Sequence, residues 1–320
     1  MSPQAVSVMA LAFCFSSANQ AGEESEALRA AQRRQELAKV VSLKFKRVAF
    51  HAVGSESAGM ASHLKKHYGA KPLPSQPTTL ESTNRLVLSA AKIRVENNHP
   101  VWSLIDGKAK DHSRVVVFDG NIGKSLFPGG LNRHGQPTGI LRLASDRTEF
   151  DDIVLQPMYC AFRPLDVEMC AFPLTRVKPT GLSLSIAGTR CRQHLVRRGD
   201  HSIELWLDPE QDCLVRRIQM RRQNSLYLQI DCENRKHEIG VWHPNSWVVH
   251  EYAKNGSLLR KNDVQILEIQ LGGTLPEAEF QLRFPPGTEV TDNRTQKEYR
   301  VLPNGDMALI LPDGSLGGAA

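Results

Sequence analysis

The sequence predicts a mainly β protein built on one large antiparallel sheet, curved or barrel-like, with one clear helix near the N-terminus. Three observations carry this. Short runs with period-2 alternation or β-branched composition follow one another from Ser42 to Leu311. Turn signals separate them, among them Asp119-Gly120, Arg198-Gly199-Asp200, Asn255-Gly256, Asn304-Gly305 and Asp313-Gly314. At the centre, Ile203, Leu205 and Leu207 alternate with Glu204, Trp206 and Asp208, Asp208-Pro209 ends the run, and Leu214, Ile218 and Met220 mark a returning strand. One face of this hairpin should look inward, Leu205 with Leu207 or instead Trp206.

The elements follow in order. Residues 1–21 read as a signal peptide or an apolar tail: Ala5 to Phe15 has the length of a secretory h-region, and cleavage after Ala18 or Ala21 fits the small residues there. The run is too short to span a bilayer, so no membrane span is expected in the mature chain. Export is the favoured reading; a cytoplasmic chain is the alternative because Met1 to Gln4 carries no Lys or Arg. Anchoring through Cys14 ranks below both, since Phe13 stands where a lipid-attachment motif needs a small residue. Residues 22–312 then read as a single β domain, with inserts at about 54–79 and 133–178, and 313–320 as a flexible tail.

Within that domain, Glu23 to Val41 is an amphipathic helix with Leu28, Ala31, Leu37, Val40 and Val41 at helical spacing. Ser42 to Val53 opens the sheet, with Leu43, Phe45, Arg47 and Ala49 on one face. Met60 to Tyr68 suits a short helix. Two short strands lie in Asn84 to Asn97, and Ser113 to Asn121 is a β-branched strand closed by Asp119-Gly120. Arg133 to Phe172 suits helices or loops over the sheet. Strands are then expected at Leu182–Ile186, Arg190–Arg197, Leu226–Cys232, His237–Trp242, Trp247–Tyr252, Asp263–Leu271, Glu279–Phe284, Tyr299–Leu302 and Met307–Leu311.

Composition narrows the function. Apolar residues make up 41% of the 320, enough for a real core. The net charge of +6 is diffuse, and its densest cluster, Arg216 to Arg222, lies on a strand that sends successive side chains to opposite faces. With aromatic residues at 6%, there is neither a basic stripe nor a stacking platform for nucleic acid. Gly120 to Ser125 falls short of a phosphate loop because Phe118 stands where the first Gly is required. No GxSxG, HExxH, GxGxxG or CxxC occurs, so no catalytic residue, metal site or cofactor is assigned. Trp242 and Trp247 flank Pro244-Asn245, read as a turn, and pack in the sheet or line a pocket. Of the six cysteines, Cys160 and Cys170 are the pair to test for a disulfide, against buried free thiols as the simpler state.

Three segments carry a family resemblance. They are Val115 to Gly129 (strand, Asp-Gly turn, aromatic, Pro-Gly), Glu204 to Arg217 (ELWLDPEQDCLVRR), and Glu279 to Thr295, where Phe280, Phe284, Pro286, Gly287, Val290 and Asp292 keep a set spacing. In this order, behind a helix leading into Ser42 to Phe50, the sequence resembles the periplasmic lipoprotein-carrier (LolA-like) superfamily, whose fold the LprG/LppX lipid-binding lipoproteins share. The resemblance implies an incomplete, strongly curved β-barrel with helices or inserts over its mouth. It also implies a non-enzymatic role in the envelope, with lipid or lipoprotein acyl chains in an apolar cavity and membrane-protein partners. Phe45, Trp102, Phe118, Trp206, Trp242 and Trp247 are the cavity candidates. A sensor or interaction module with a filled cavity is the alternative, and a hydrolase with a site in the loops the third. A cavity plugged by Ile140 to Met158 would rule the carrier out.

Overall fold

The structure, a computed structural model, describes residues 26–53, 76–103, 108–129, 136–143, 152–166 and 170–319. The leader expected at residues 1–21, with Cys14, the short helix expected at Met60–Tyr68 and the side chain of Trp102 lie outside this description.

Helix α1 covers residues 26–37. Strands β1 (Val40–His51), β2 (Thr78–Ser89), β3 (Lys92–Ser103), β4 (Lys108–Phe118), β5 (Ile122–Phe127) and β6 (Thr138–Leu143) follow. A 3-10 turn at Ile153–Leu155 enters helix α2 (Gln156–Phe162). Then come β7 (Lys178–Ile186), β8 (Thr189–Arg198), β9 (His201–Asp208), β10 (Leu214–Arg222), β11 (Ser225–Lys236) and β12 (Trp242–Tyr252). The last strands are β13 (Leu258–Leu271), β14 (Glu289–Asp292), β15 (Lys297–Val301), β16 (Met307–Ile310) and β17 (Leu316–Ala319). The chain is mainly β, as predicted, and divides into two compact units: Met1–Ala38 with Ile153–Asp263, and Lys39–Asp152 with Val264–Ala320.

In the second unit β1 pairs with β2 and β13, and an antiparallel ladder runs from β1 through β6. The register Leu43↔Leu86↔Val95↔Val116 sets apolar side chains in line on one face, where all four are at most 3% exposed. On the other face Val87, Val117 and Leu126 pack against Phe280 and Leu282 of the C-terminal segment. The Asp119-Gly120 turn forms as read: Asp119 Oδ1 accepts from the Asn121 and Ile122 amides, and Gly120 takes φ +99°, a region that side chains avoid. Parallel pairing of β14 with β6 extends the unit, and β15 to β17 continue it.

The first unit holds a six-strand antiparallel meander, β7 to β12. Its registers place Leu205, Leu207, Val215, Ile218, Ile230, Cys232, Trp247 and Val249 on one face, all buried. Each fully buried aliphatic side chain contributes about 1.5–3 kcal/mol, so this face is the unit's main stabilising surface. The opposite face carries a polar ladder, in which Arg217 Nε donates to Asp231 at 2.6 Å, Gln219 Nε2 to Gln229 at 2.7 Å, and Gln193 Nε2 to Glu204 at 3.1 Å.

Several expectations are corrected. Helix α1 stops at residue 37, and Val40 and Val41 enter β1 because β-branched pairs favour the pleat. Its buried stripe is Ala27, Ala31 and Arg34, continued by Ala38 just past its end, while Leu37 is half exposed. Residues 138–143, expected as helix or loop, form β6. His237 to Val241 is a turn, closed by the His237 amide donating to the Val241 carbonyl, so no strand runs from His237 to Trp242. Trp242 and Trp247 instead share one strand, with Pro244 at a register shift where no ladder donor is needed. Glu279–Phe284 is a 3-10 turn followed by extended chain, because Phe280 and Leu282 pack without a ladder. Residues 316–319, read as tail, pair with β16.

Candidate functional site

The apolar face of the first unit's meander is occupied by the chain itself. All seven residues of α2 are buried, and the helix packs against β10 and β12. At its entry the Trp247 indole N–H donates to the Val154 carbonyl at 2.7 Å. This decides the hairpin question: Leu205 and Leu207 face the side that carries α2, while Trp206 points to the other and packs with Ile186 and Cys191.

Arg34 fastens α1 onto this assembly. It is 1% exposed; its Nε donates to the Ala161 carbonyl at 3.2 Å and its Nη1 to the Asp212 carbonyl. Burial pushes its pKa down to about 10, with Asp212 opposing the shift, so it stays charged at neutral pH. Arg33 pairs with the Asp212 carboxylate from outside, and Glu26 accepts from Arg192 at 2.7 Å. The small alanines at 27, 31 and 38 let the helix approach closely enough for Arg34 to reach.

At the hairpin end of the same sheet, a pocket of about 600 Å³ is lined by His201, Arg222, Leu226, Tyr227, Ala253 and Lys254. A two-residue turn builds it: Gln223 and Asn224 take φ +49° and +65°, setting Arg222 opposite His201 on one side and Ser225 on the other. Asp200 caps the turn by accepting from the Gln223 amide through its carbonyl at 2.8 Å. Its carboxylate accepts from Arg222 Nε at 3.1 Å, a hydrogen bond that holds it below the ordinary carboxylate range. The Tyr227 ring stands edge-on to His201 at 6.0 Å, and burial pushes its phenol up. Arg222 and His201 therefore meet a carboxylate that is already engaged, and with Lys254 they line the pocket beside an apolar wall of Leu226, Tyr227 and Ala253.

His201 Nε2 lies 3.3 Å from Asp200 Oδ1, a pair that suits acid–base chemistry. Ser225 lines the same pocket, but among the described contacts no hydrogen bond joins it to His201. Among the described residues no group of three or more His, Cys, Asp or Glu could hold a metal ion, and no helix is long and apolar enough to cross a membrane.

The predicted cavity residues fall in both units. Phe45 and Phe118 are buried in the second unit on one face of its sheet. Trp206 and Trp247 sit on opposite faces of the first unit's meander. Trp242 is half-buried at the start of β12, opposite Lys236, and the backbone of Trp102 pairs with Ala109. Sequence reasoning passed over His201, Arg222, Tyr227 and Lys254. Their signal was the polar pair Gln223-Asn224 between two alternating runs, which marks a two-residue hairpin and brings them to one end of the sheet.

No protein-family model matches the sequence, and no curated protein does. Among solved structures the chain is similar to a LolA superfamily protein, NE2245 from Nitrosomonas europaea. The identity is 12%, over 79% of this chain and 97% of that one, with a TM-score of 0.40. This neighbour is of the superfamily that the sequence resembles. Two structures of PNGF-II match at 12% and 10% identity, over 80% and 79% of this chain but 32% and 31% of theirs, with TM-scores of 0.24 and 0.23.

Proposed function

We propose that the protein is a non-enzymatic, exported binder of amphiphilic, lipid-like ligands with an anionic end. One observation carries the reading: a pocket of ligand size whose apolar wall adjoins His201, Arg222 and Lys254. The anionic end meets the guanidinium and ammonium groups, and the chain lies along Leu226 and Tyr227, where each CH₂ removed from water contributes about 0.8 kcal/mol. The resemblance to lipoprotein carriers supplies the context, an envelope compartment and acyl chains of lipids or lipoproteins passed between membrane partners.

A second reading has its own support. Because α2 lies on the apolar face that a carrier would leave open, the domain also suits a sensor or interaction module with an occupied interior. Titration with a fluorescent anionic fatty acid separates the two. Saturable binding that falls at least tenfold in Arg222→Glu and Lys254→Glu supports the binder. No uptake by the wild type, or equal affinity in both charge reversals, rejects it and leaves the interaction module. Native mass spectrometry of the protein from its own host identifies any lipid that travels with it.

A further inference from the structure

We infer that Cys160 and Cys170 are a built disulfide site, closed when the chain folds in an oxidising compartment, and that the bond ties the end of α2 to the segment that leads into β7. The two sulfurs lie 3.5 Å apart in a hydrogen-bonded contact, at 5% and 1% exposure. Their approach does not depend on the sulfurs themselves. Cys160 sits in the last turn of α2, where the Arg163 amide donates to the Tyr159 carbonyl at 2.8 Å. Cys170 is brought back by its own amide, which donates to the Asp166 carbonyl at 2.9 Å, and the next amide, of Ala171, donates to Oε1 of Gln156 at 2.9 Å. Gln156 is the first residue of α2 and wholly buried, so a fixed point at each end of the helix holds the pair in register.

The other cysteines are placed differently. Cys191 lies on the opposite face of the meander, beside Trp206 and Ile186, with its thiol toward the Thr189 carbonyl. Cys213 takes φ +52° in the β9–β10 turn. Cys232, on the apolar face of β11, is near enough to influence Cys160 electrostatically and is the competing partner. Among the described residues, Cys160 with Cys170 is the pair in sulfur contact.

Closure breaks both S–H bonds and forms one S–S bond, releasing two protons and two electrons. The acceptor is a disulfide such as oxidised glutathione, whose S–S bond is reduced to two thiols as the intramolecular bond forms. Timing follows from the environment. The contact with Cys170 and burial both push the Cys160 thiol well up, so the folded, reduced pair holds little thiolate and exchanges slowly. The bond therefore forms while α2 is still accessible, and once packed it is beyond the reach of soluble reductant. Neither step depends on what the pocket binds.

The test is refolding of the full chain in mixed oxidised and reduced glutathione, then non-reducing peptide mapping. The expected product is a Cys160–Cys170 cross-link, with a melting temperature on the order of 5 °C above that of the fully reduced chain. In Cys160→Ala/Cys170→Ala the oxidised and reduced preparations should melt together. The inference is overturned if Cys160 pairs with Cys232 or with Cys14, if both thiols are alkylated after denaturation of the refolded protein, or if the cross-link leaves the melting temperature unchanged. The comparison of oxidised with reduced wild type decides the matter even if the double variant fails to fold.

Discussion

Arg33 and Arg34 are adjacent in sequence and both engage Asp212, yet their substitution should have very different consequences. Arg33 is 61% exposed, and its ion pair with the Asp212 carboxylate works against solvent screening, so Arg33→Ala should cost about 0–1 kcal/mol. Arg34 is 1% exposed and makes two charge-assisted hydrogen bonds, each of a kind that contributes about 1.5–3 kcal/mol. Removing the guanidinium also removes its own desolvation penalty, which offsets part of this sum. The alanine leaves a cavity between α1 and α2 that packing closes only in part. The net expectation for Arg34→Ala is a loss of about 2–4 kcal/mol, with Arg34→Lys in between because an ammonium cannot span both carbonyls. Equilibrium urea unfolding followed by tryptophan fluorescence reads all three. Should the two alanine variants fall within 0.5 kcal/mol of each other, the buried clasp has no energetic standing.

Three further outcomes are expected. Trp247→Phe should lose about 1–3 kcal/mol, since the buried indole N–H donates to the Val154 carbonyl; unfolding curves that superimpose on wild type would show that contact to be dispensable. Gly139→Ala would set a Cβ 2.7 Å from Phe284 Cε1 and 3.0 Å from Val290 Cγ2, costing about 1–3 kcal/mol, and Phe284→Leu in the same chain should restore part of it; no recovery would locate the clash elsewhere. Acid should weaken the fold through His194, His243 and, less deeply buried, His112, whose pKa values burial holds below the ordinary one. The unfolded chain takes up these protons near pH 6.5 and the folded one does not, so stability rises with pH through that window and falls below it. A His194→Gln/His243→Gln variant should show a flatter urea midpoint between pH 7.5 and 5.5, and a profile parallel to wild type would absolve both.

Strand order was legible wherever side-chain periodicity and turn chemistry agreed. The β4–β5 hairpin could be read because Asp119-Gly120 fixes both the backbone and the register, and β9–β10 because Asp208-Pro209 ends one run cleanly. Glu279–Phe284 was misread because apolar alternation records which side chains are buried, not whether the backbone is paired. The stripe of α1 was misread for a related reason. Leu28 and Leu37 outrank Ala27, Ala31 and Ala38 in hydrophobicity, but close approach selects small residues, and Arg34 has no apolar signature. The pocket was hidden because its residues come from three separate stretches of sequence that only the finished ladder unites.

A helix on the apolar face and the proposed binding pocket are compatible in the first unit because that helix is short. With seven residues, α2 is about 10 Å long at 1.5 Å per residue. Strand β11, with twelve residues, extends about 40 Å at 3.3 Å per residue. A helix of that length covers a fraction of such a strand, and its contacts fall on β10 and β12 near Trp247. The hairpin end, with Arg222, Tyr227 and Lys254, lies beyond its reach and keeps its pocket. Loosening α2 and disabling the pocket should therefore separate. Met158→Ala, which deletes a wholly buried side chain of α2, should cost about 2–5 kcal/mol and leave the affinity for an anionic fatty acid within twofold of wild type. Arg222→Glu should do the reverse, because that side chain is 66% exposed and contributes to the pocket more than to the core. If Met158→Ala instead opens a second site of comparable affinity, the ligand's chain belongs under α2, and the helix is a lid rather than a filler.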